Sequence, residues 1–326
     1  MLKQKIKESR DIKENSLTAY ITTLQKLHTS IKTTIPFNNV KWLMKKDKIF
    51  NYLEKLKLTT RKNYLTSIIV ALSTEPTKYK TLLKKYRDSL EDTAKEYNEV
   101  MKTQELSDTQ KENWTTLSEL NKIKTKLSRK KAKLVSNGLD NITKKGLVLF
   151  QEYLVACLYL DMPPLRNDYA GMDIITDDEY KTGLFTDNYL VVAPTSYYFV
   201  LNNYKTDKVY GTKIIDIPEK LNNTLTQWIQ INPTKHFLLN NKGEPMTPNT
   251  LTKFLNSVFS ETGKKISSSL IRHIYLSERY SADLTQKEED ANALLHSVDV
   301  QQGIYVKKQP DTNNAPHPLN RFLKQR

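Results

Sequence analysis

The spacing of apolar residues is the feature that most constrains this fold, because it changes along the chain. Up to about residue 105, apolar side chains recur every three or four positions, as in Leu17, Tyr20, Leu24, Leu27 and Ile31. This is the period of an amphipathic helix. Residues 190–192, 197–201 and 213–217 are β-rich and flank a turn at 207–211. Helical spacing then returns, so the pattern predicts a mainly α-helical chain with a small β-hairpin or sheet.

The predicted elements fall into two domains, for which 326 residues are sufficient. The stretch from Lys102 to Asn113 is polar and has no periodicity, which is typical of a linker. We expect a helical domain over residues 1–105, a linker over 106–118, a mixed α/β domain over 119–309 and a basic C-terminal tail over 310–326. Pro248 is expected to begin a helix, and Thr285 with Glu288 has the spacing of a capping box.

The charge balance indicates a polyanionic partner. The chain has 51 Lys and Arg residues against 36 Asp and Glu residues, a formal net charge of +15. Nucleic acid is the usual partner of a protein with such an excess. A basic run from Lys122 to Lys133 falls on the polar face of a predicted helix. This run is either a solvated face or a surface that follows a phosphate backbone.

Several classes of protein are disfavoured by the sequence. Cys157 is the single cysteine, which excludes an intrachain disulfide and fits a reducing compartment. The N-terminal residues lack the apolar region of a signal peptide. The apolar run 146–162 contains Gln151, Glu152 and Asp161, so it predicts a buried helix and not a membrane span. His and Cys lack metal-ligand spacing, and no Gly-rich phosphate loop is present. We therefore expect no metal or cofactor, no membrane partner, and a cytoplasmic or nuclear protein that is not secreted.

Cleavage of a phosphodiester without a metal requires three kinds of group. A nucleophile attacks phosphorus, cations neutralise the non-bridging oxygens, and an acid protonates the leaving 5′ oxygen. Arg suits the oxygens because its planar fork donates two parallel hydrogen bonds, and Lys or His can supply the proton. A Tyr nucleophile stores the bond energy as a phosphotyrosine, so rejoining needs no ATP. The residues of the second domain that fit these roles are, in chain order, Arg166, Lys205, Arg272, His296 and Tyr305.

The segments around these residues resemble the catalytic domain of the tyrosine recombinase and phage integrase family. LRNDY around Arg166 is similar to the family's first box, and YKTDK around Lys205 to its hairpin lysine. Ile271-Arg272-His273 with Ser277 is similar to the second box, and His296-Ser297 with Tyr305 nine residues after the histidine to the last. In the first domain, KENSLTAYITTLQKL and LTTRKNYLTSI resemble helices of the family's core-binding domain. The resemblance implies a helical DNA core-binding domain followed by a mixed α/β catalytic domain.

The chain departs from the family pattern at several positions. Ser269 stands three positions before Arg272, where the family usually has a His that assists proton transfer. The acidic residue after Arg166 is Asp168, one position early, and no Gly precedes His296. The interval from Arg166 to Lys205 is long and implies an insertion around residues 173–187. Lys208 therefore remains an alternative to Lys205, and Ser269 a possible site residue.

The resemblance implies a site-specific recombinase or integrase acting on double-stranded DNA. Tyr305 would form a 3′-phosphotyrosine, Arg166, Arg272 and His296 would stabilise the transition state, and Lys205 would protonate the leaving oxygen. Four protomers would assemble on two DNA sites and pass through a Holliday junction. The tail would dock on a neighbouring protomer or be disordered, and His273 would be structural. Two alternatives stay open: a type IB topoisomerase that relaxes DNA, and a DNA-binding protein that has lost catalysis, for which Ser269 is the relevant feature.

Overall fold

The computed structural model describes residues 2–136, 138–139 and 142–293. The chain divides into two compact units, Met1–Leu106 and Ser107–Arg326. The described residues are mostly helical and include a small mixed sheet in the second unit. The prediction of a mainly α-helical chain with a small sheet is therefore confirmed. His296, Tyr305 and the predicted tail over 310–326 lie outside the described residues.

The first unit is a helical bundle around one apolar core. Its described α-helices are α1 (Leu2–Ser9), α2 (Glu14–Ser30), α3 (Lys46–Leu53), α4 (Leu58–Leu72) and α5 (Lys80–Lys102). Trp42 and Tyr86 are fully buried in the core, and the Tyr86 hydroxyl donates to the Leu43 carbonyl at 2.9 Å. α4 begins at Leu58 with no side-chain cap.

The second unit contains the sheet and the remaining helices. Its described α-helices are α6 (Asp108–Asn113), α7 (Leu117–Ser136), α8 (Lys144–Leu160), α9 (Asp177–Thr182), α10 (Asp207–Tyr210), α11 (Asn222–Ile231), α12 (Pro248–Val258) and α13 (Ser268–Ala293). Pro248 begins α12 as predicted, behind a Thr247 cap. α8 forms the centre of the core: its Phe150 stacks on Trp228 of α11, and both side chains are fully buried. No described helix is long and apolar enough to cross a membrane.

The sheet of the second unit has the described strands β1 (Asp173–Thr176), β2 (Tyr189–Val192), β3 (Tyr197–Leu201) and β4 (Lys213–Asp216), in that order. β1 pairs parallel with β2, and the other neighbours are antiparallel. Phe199 on β3, one of the two inner strands, is fully buried. The region expected to be an insertion, 173–187, contains β1 and α9, so it extends the sheet by an edge strand. The expected turn at 207–211 contains α10, which ends at Tyr210 and is followed by Gly211, whose φ of 62° favours glycine.

Two expectations about segment boundaries differ from the structure. The expected linker over 106–118 includes α6, which forms because Ser107 and Gln110 make a reciprocal capping box. The Asn113 carboxamide oxygen then accepts a hydrogen bond from the Lys265 backbone at 2.7 Å, so this segment is packed against its own unit. The expected helix start at Thr285 is wrong, because α13 runs without interruption from Ser268 to Ala293.

Candidate active site

Arg166 lies in the connection between α8 and β1, and neighbouring side chains fix the backbone of this connection. The buried Tyr159 of α8 donates from its hydroxyl to the Arg166 carbonyl at 2.8 Å. Asn167 donates from Nδ2 to the Pro248 carbonyl and to Oγ1 of Thr252, both at 2.9 Å. The segment is thus held against α8 on one side and α12 on the other, and the side chain of Arg166 is partly buried.

Arg272 lies in the second turn of α13. The neighbouring Ile271 and Ile274 are fully buried, so this helix packs on the core while Arg272 stays partly buried at its margin. Arg272 and Arg166 line one cleft of about 390 Å³, which is also lined by Asn167, Asp168, Pro248, Ser268 and Ser269. The structure therefore brings together two arginines that are far apart in the sequence.

The charges of the cleft act on each other. Burial raises the pKa of Asp168, and the positive charges of Arg166 and Arg272 partly oppose that rise. Burial, and next the charge of Arg166, lower the pKa of Arg272, while Asp168 opposes this shift. Two cations share one carboxylate, so the cleft keeps an excess of positive charge. Such an arrangement suits an oxyanion with two exposed oxygens, such as a phosphodiester.

Ser269 lines the same cleft in the first turn of α13 and is exposed. It is one helical turn before Arg272, so its hydroxyl lies on the same side of the helix. A hydroxyl can donate one hydrogen bond to an anion but cannot supply charge at neutral pH. His273, which was expected to be structural, is exposed on α13.

The lysines of the hairpin lie outside this cleft. Lys205 and Lys208 are exposed in the connection between β3 and β4, and neither lines the cleft. Within the described residues Lys205 makes no hydrogen bond or ion pair, whereas the Lys208 backbone donates to the Asp207 carboxylate at 2.7 Å. The connection is closed by the Tyr204 hydroxyl, which donates to the Gly211 carbonyl at 2.7 Å.

Sequence reasoning missed Asn188, a residue that connects the arginine cleft to the β3–β4 connection. Asn188 precedes β2, is buried, and hydrogen-bonds both the Asp168 carbonyl and the end of β3. An asparagine between an aspartate and a strand is typical of a turn, and only the long-range contacts distinguish it.

The basic run of α7, Lys122 to Lys133, contains residues whose side chains contact the rest of the unit and residues whose side chains make no such hydrogen bond or ion pair among the described residues. Some of its lysines make contacts within the second unit: Lys124 with Asp161 at 2.7 Å, Lys126 with Glu261 at 2.5 Å, and Lys131 with Gln227 at 2.7 Å. Lys122, Arg129, Lys130 and Lys133 are exposed, as is Lys126 despite its ion pair. Part of the run therefore stabilises the fold, and the rest remains available to solvent or a polyanion.

No family model, curated protein or solved structure matches the chain. Within the described residues, no group of three or more His, Cys, Asp or Glu side chains could hold a metal ion.

Proposed function

We propose that this protein is a tyrosine-type site-specific DNA recombinase that cleaves and rejoins double-stranded DNA. The observation that supports the proposal is the cleft in which Arg166, Arg272 and Asp168 meet. The two arginines were selected from the sequence because a phosphodiester needs two cations on its non-bridging oxygens, and they share one site in the fold. The net charge of +15 adds the attraction to DNA that such a function requires.

In the proposed reaction, the two arginines bind the scissile phosphate before the nucleophile attacks. Each guanidinium donates hydrogen bonds to a non-bridging oxygen and stabilises the charge that develops in the transition state. Asp168 orients the arginines and limits their mutual repulsion. Ser269 donates a hydrogen bond to the same phosphate in place of the histidine that the family pattern has.

The chemical step exchanges one phosphoester for another. Tyr305 releases its phenolic proton to bulk water and attacks phosphorus, so a bond from phosphorus to the tyrosine oxygen forms as the bond to the 5′ oxygen breaks. Lys205 protonates that 5′ oxygen, and His296 hydrogen-bonds the phosphate. The phosphotyrosine retains the bond energy, so a 5′ hydroxyl of another strand can reverse the step. In the full reaction, four protomers on two DNA sites pass through a Holliday junction.

Covalent capture tests this proposal even though the sequence of the DNA site is not known. The probe is a library of nicked duplexes with a randomised central segment. Cleavage next to the nick releases a short fragment that diffuses away, so the strand cannot be rejoined and the adduct accumulates. We expect a denaturant-resistant protein–DNA adduct with the natural chain and with Lys242→Ala, which changes an exposed lysine outside both the cleft and the basic run of α7. Tyr305→Phe and Arg272→Ala should give none. An adduct that persists in Tyr305→Phe would contradict the proposed nucleophile.

A DNA-binding protein without catalysis is the second candidate function. The specific observation that favours it is Ser269, which lines the cleft at the position where the family pattern has a proton-transferring histidine. Retention of the library on the protein with no covalent adduct would support this alternative over the recombinase.

A further inference from the structure

Asn188 connects the arginine cleft to the hairpin through one buried amide. Only 8% of the residue is exposed. Its Nδ2 donates to the Asp168 carbonyl at 3.1 Å and to the Asn203 carbonyl at 3.0 Å. Its Oδ1 accepts hydrogen bonds from the backbone N–H groups of Asn202 at 3.0 Å and Asn203 at 2.9 Å. Both donor hydrogens and both lone pairs of the amide are therefore used.

These contacts determine where Lys205 can lie. Lys205 is two residues beyond Asn203, and its side chain makes no hydrogen bond or ion pair among the described residues. The position of its backbone therefore determines how far its ammonium group can extend. On the other side of the strand end, Asn202 donates from Nδ2 to the Asp187 carbonyl at 2.8 Å. Because Asn188 ties Asn203 to the segment of Asp168, it fixes the separation between the hairpin connection and the cleft.

We propose that Asn188 is a positioning residue for proton transfer from Lys205 to the leaving 5′ oxygen. This inference rests on the proposed recombinase function. As the bond from phosphorus to the 5′ oxygen breaks, the Lys205 ammonium gives its proton to that oxygen and becomes a neutral amine. Asn188 touches neither group and acts by holding the backbone that carries the lysine.

Replacing the leaving 5′ oxygen by sulfur distinguishes a role of Asn188 in proton transfer from a role in folding alone. The two probes are the same captured duplex with either oxygen or sulfur at the 5′ bridging position of the scissile phosphate. A thiol has a pKa of about 8.5, so sulfur leaves as a thiolate and needs no acid. A defect in proton delivery is therefore rescued by sulfur, whereas a defect in phosphate binding or folding is not.

The variants are chosen to break the connection selectively. Asn188→Asp keeps the acceptor for the backbone N–H groups of Asn202 and Asn203 but replaces the donor to the Asp168 and Asn203 carbonyls by a second acceptor. Asn188→Ala removes all four hydrogen bonds. The matched control is Asn232→Ala in the same unit. The Asn232 amide bonds the His236 carbonyl and the Thr234 backbone, neither of which borders the cleft.

We expect Lys205→Ala, which removes the acid, to slow cleavage of the oxygen duplex about a hundred-fold or more, the range that a general acid contributes. Asn188→Asp, which displaces the acid but keeps it, should slow the same cleavage about ten- to a hundred-fold. On the sulfur duplex both should return to within about three-fold of the natural chain, because no acid is needed. Arg272→Ala should stay impaired on both duplexes. Asn232→Ala should keep the natural ratio of the two rates, whatever its effect on thermal stability. Asn188→Ala should show the same rescue as Asn188→Asp.

Two results would overturn the inference. If the Asn188 variants lose equal activity on oxygen and sulfur while Lys205→Ala is rescued, Asn188 serves structure alone. If circular dichroism shows that both Asn188 variants are unfolded at the assay temperature, Asn188 is likewise a structural residue and the inference is wrong. Failure of the recombinase proposal is distinguishable, because the natural chain would then form no adduct with either duplex.

Discussion

The cleft should bind a simple tetrahedral oxyanion, and this can be tested without DNA. The perturbation is sulfate added to the natural chain, to Arg272→Met and to Arg129→Met. An anion that binds only the folded state stabilises it by RT ln(1 + [L]/Kd), which is about 1.4 kcal/mol at ten times Kd. For a unit the size of Ser107–Arg326, this raises Tm by about 3–6 °C.

Without sulfate, Arg272→Met should be as stable as the natural chain or slightly more stable. The pKa of Arg272 is lowered by burial and by the charge of Arg166, so keeping this guanidinium charged costs the folded state free energy. The side chain is only partly buried, so water screens the repulsion and the relief is at most about 1 kcal/mol. Loss of the cation should therefore remove the anion site without weakening the fold.

The assay is thermal unfolding of the second unit at matched ionic strength in sulfate and in chloride. Sulfate also stabilises proteins generally because it is excluded from their surface. Arg129→Met, which changes an exposed arginine of α7, measures that general effect. We expect the sulfate-specific shift in the natural chain and Arg129→Met and its loss in Arg272→Met. Equal shifts in all three proteins would refute the assignment of the cleft as a phosphate site.

Three further predictions concern the stability of the second unit. Lys124→Met should cost about 2 kcal/mol in chemical denaturation, because it removes the 2.7 Å partner of the largely buried Asp161. Burial alone would raise the pKa of Asp161, but its lysine partners outweigh burial and lower it. The loss of stability in Lys124→Met should therefore be complete above pH 3.9, roughly the pKa of Asp161 in the unfolded chain. It should disappear as the pH falls through the lower pKa that Asp161 has in the folded protein. Glu152→Gln should stabilise the protein at neutral pH by less than about 1 kcal/mol, because burial raises the pKa of this half-exposed carboxyl and its ionised form costs stability. That gain should vanish as the pH falls through the raised folded pKa, so a gain that persists in acid would contradict the cause given. Gln151→Leu should cost about 2–4 kcal/mol in urea unfolding, because the Gln151 amide satisfies both the N–H and the carbonyl of Leu239 in the core. A loss well below 1 kcal/mol would indicate that water replaces the amide.

Elements with a strong local pattern could be predicted from the sequence. The apolar run expected over 146–162 is α8, Lys144–Leu160, and the expected strand 197–201 is β3, Tyr197–Leu201. The edge strand β1 was not predicted, although Ile174, Ile175 and Thr176 favour a strand, because a stretch of four residues without a neighbouring hairpin turn is a weak signal; the structure pairs it in parallel with β2. The capping box of Thr176 and Glu179 at the start of α9 was a local signal that could have been used.

Two arginines of the candidate site could be selected from the sequence, but the residues that hold their backbone in place could not. Arg166 and Arg272 follow from the needs of a phosphodiester and from the family resemblance. Asn188 could not be recognised, because its importance lies in contacts with residues 14 to 20 positions away. The basic run of α7 shows the same limit: the carboxylate partners Asp161 and Glu261 are remote in sequence.

Identifying the amino acid that becomes linked to DNA tests the proposed tyrosine chemistry. The adduct captured from the nicked library is digested with protease and nuclease, and the peptide that retains a nucleotide is sequenced by mass spectrometry. We expect a nucleotide attached through its 3′ phosphate to Tyr305. A nucleotide on any other residue, or attached through its 5′ phosphate, would contradict the assignment of this chain to tyrosine-type recombination.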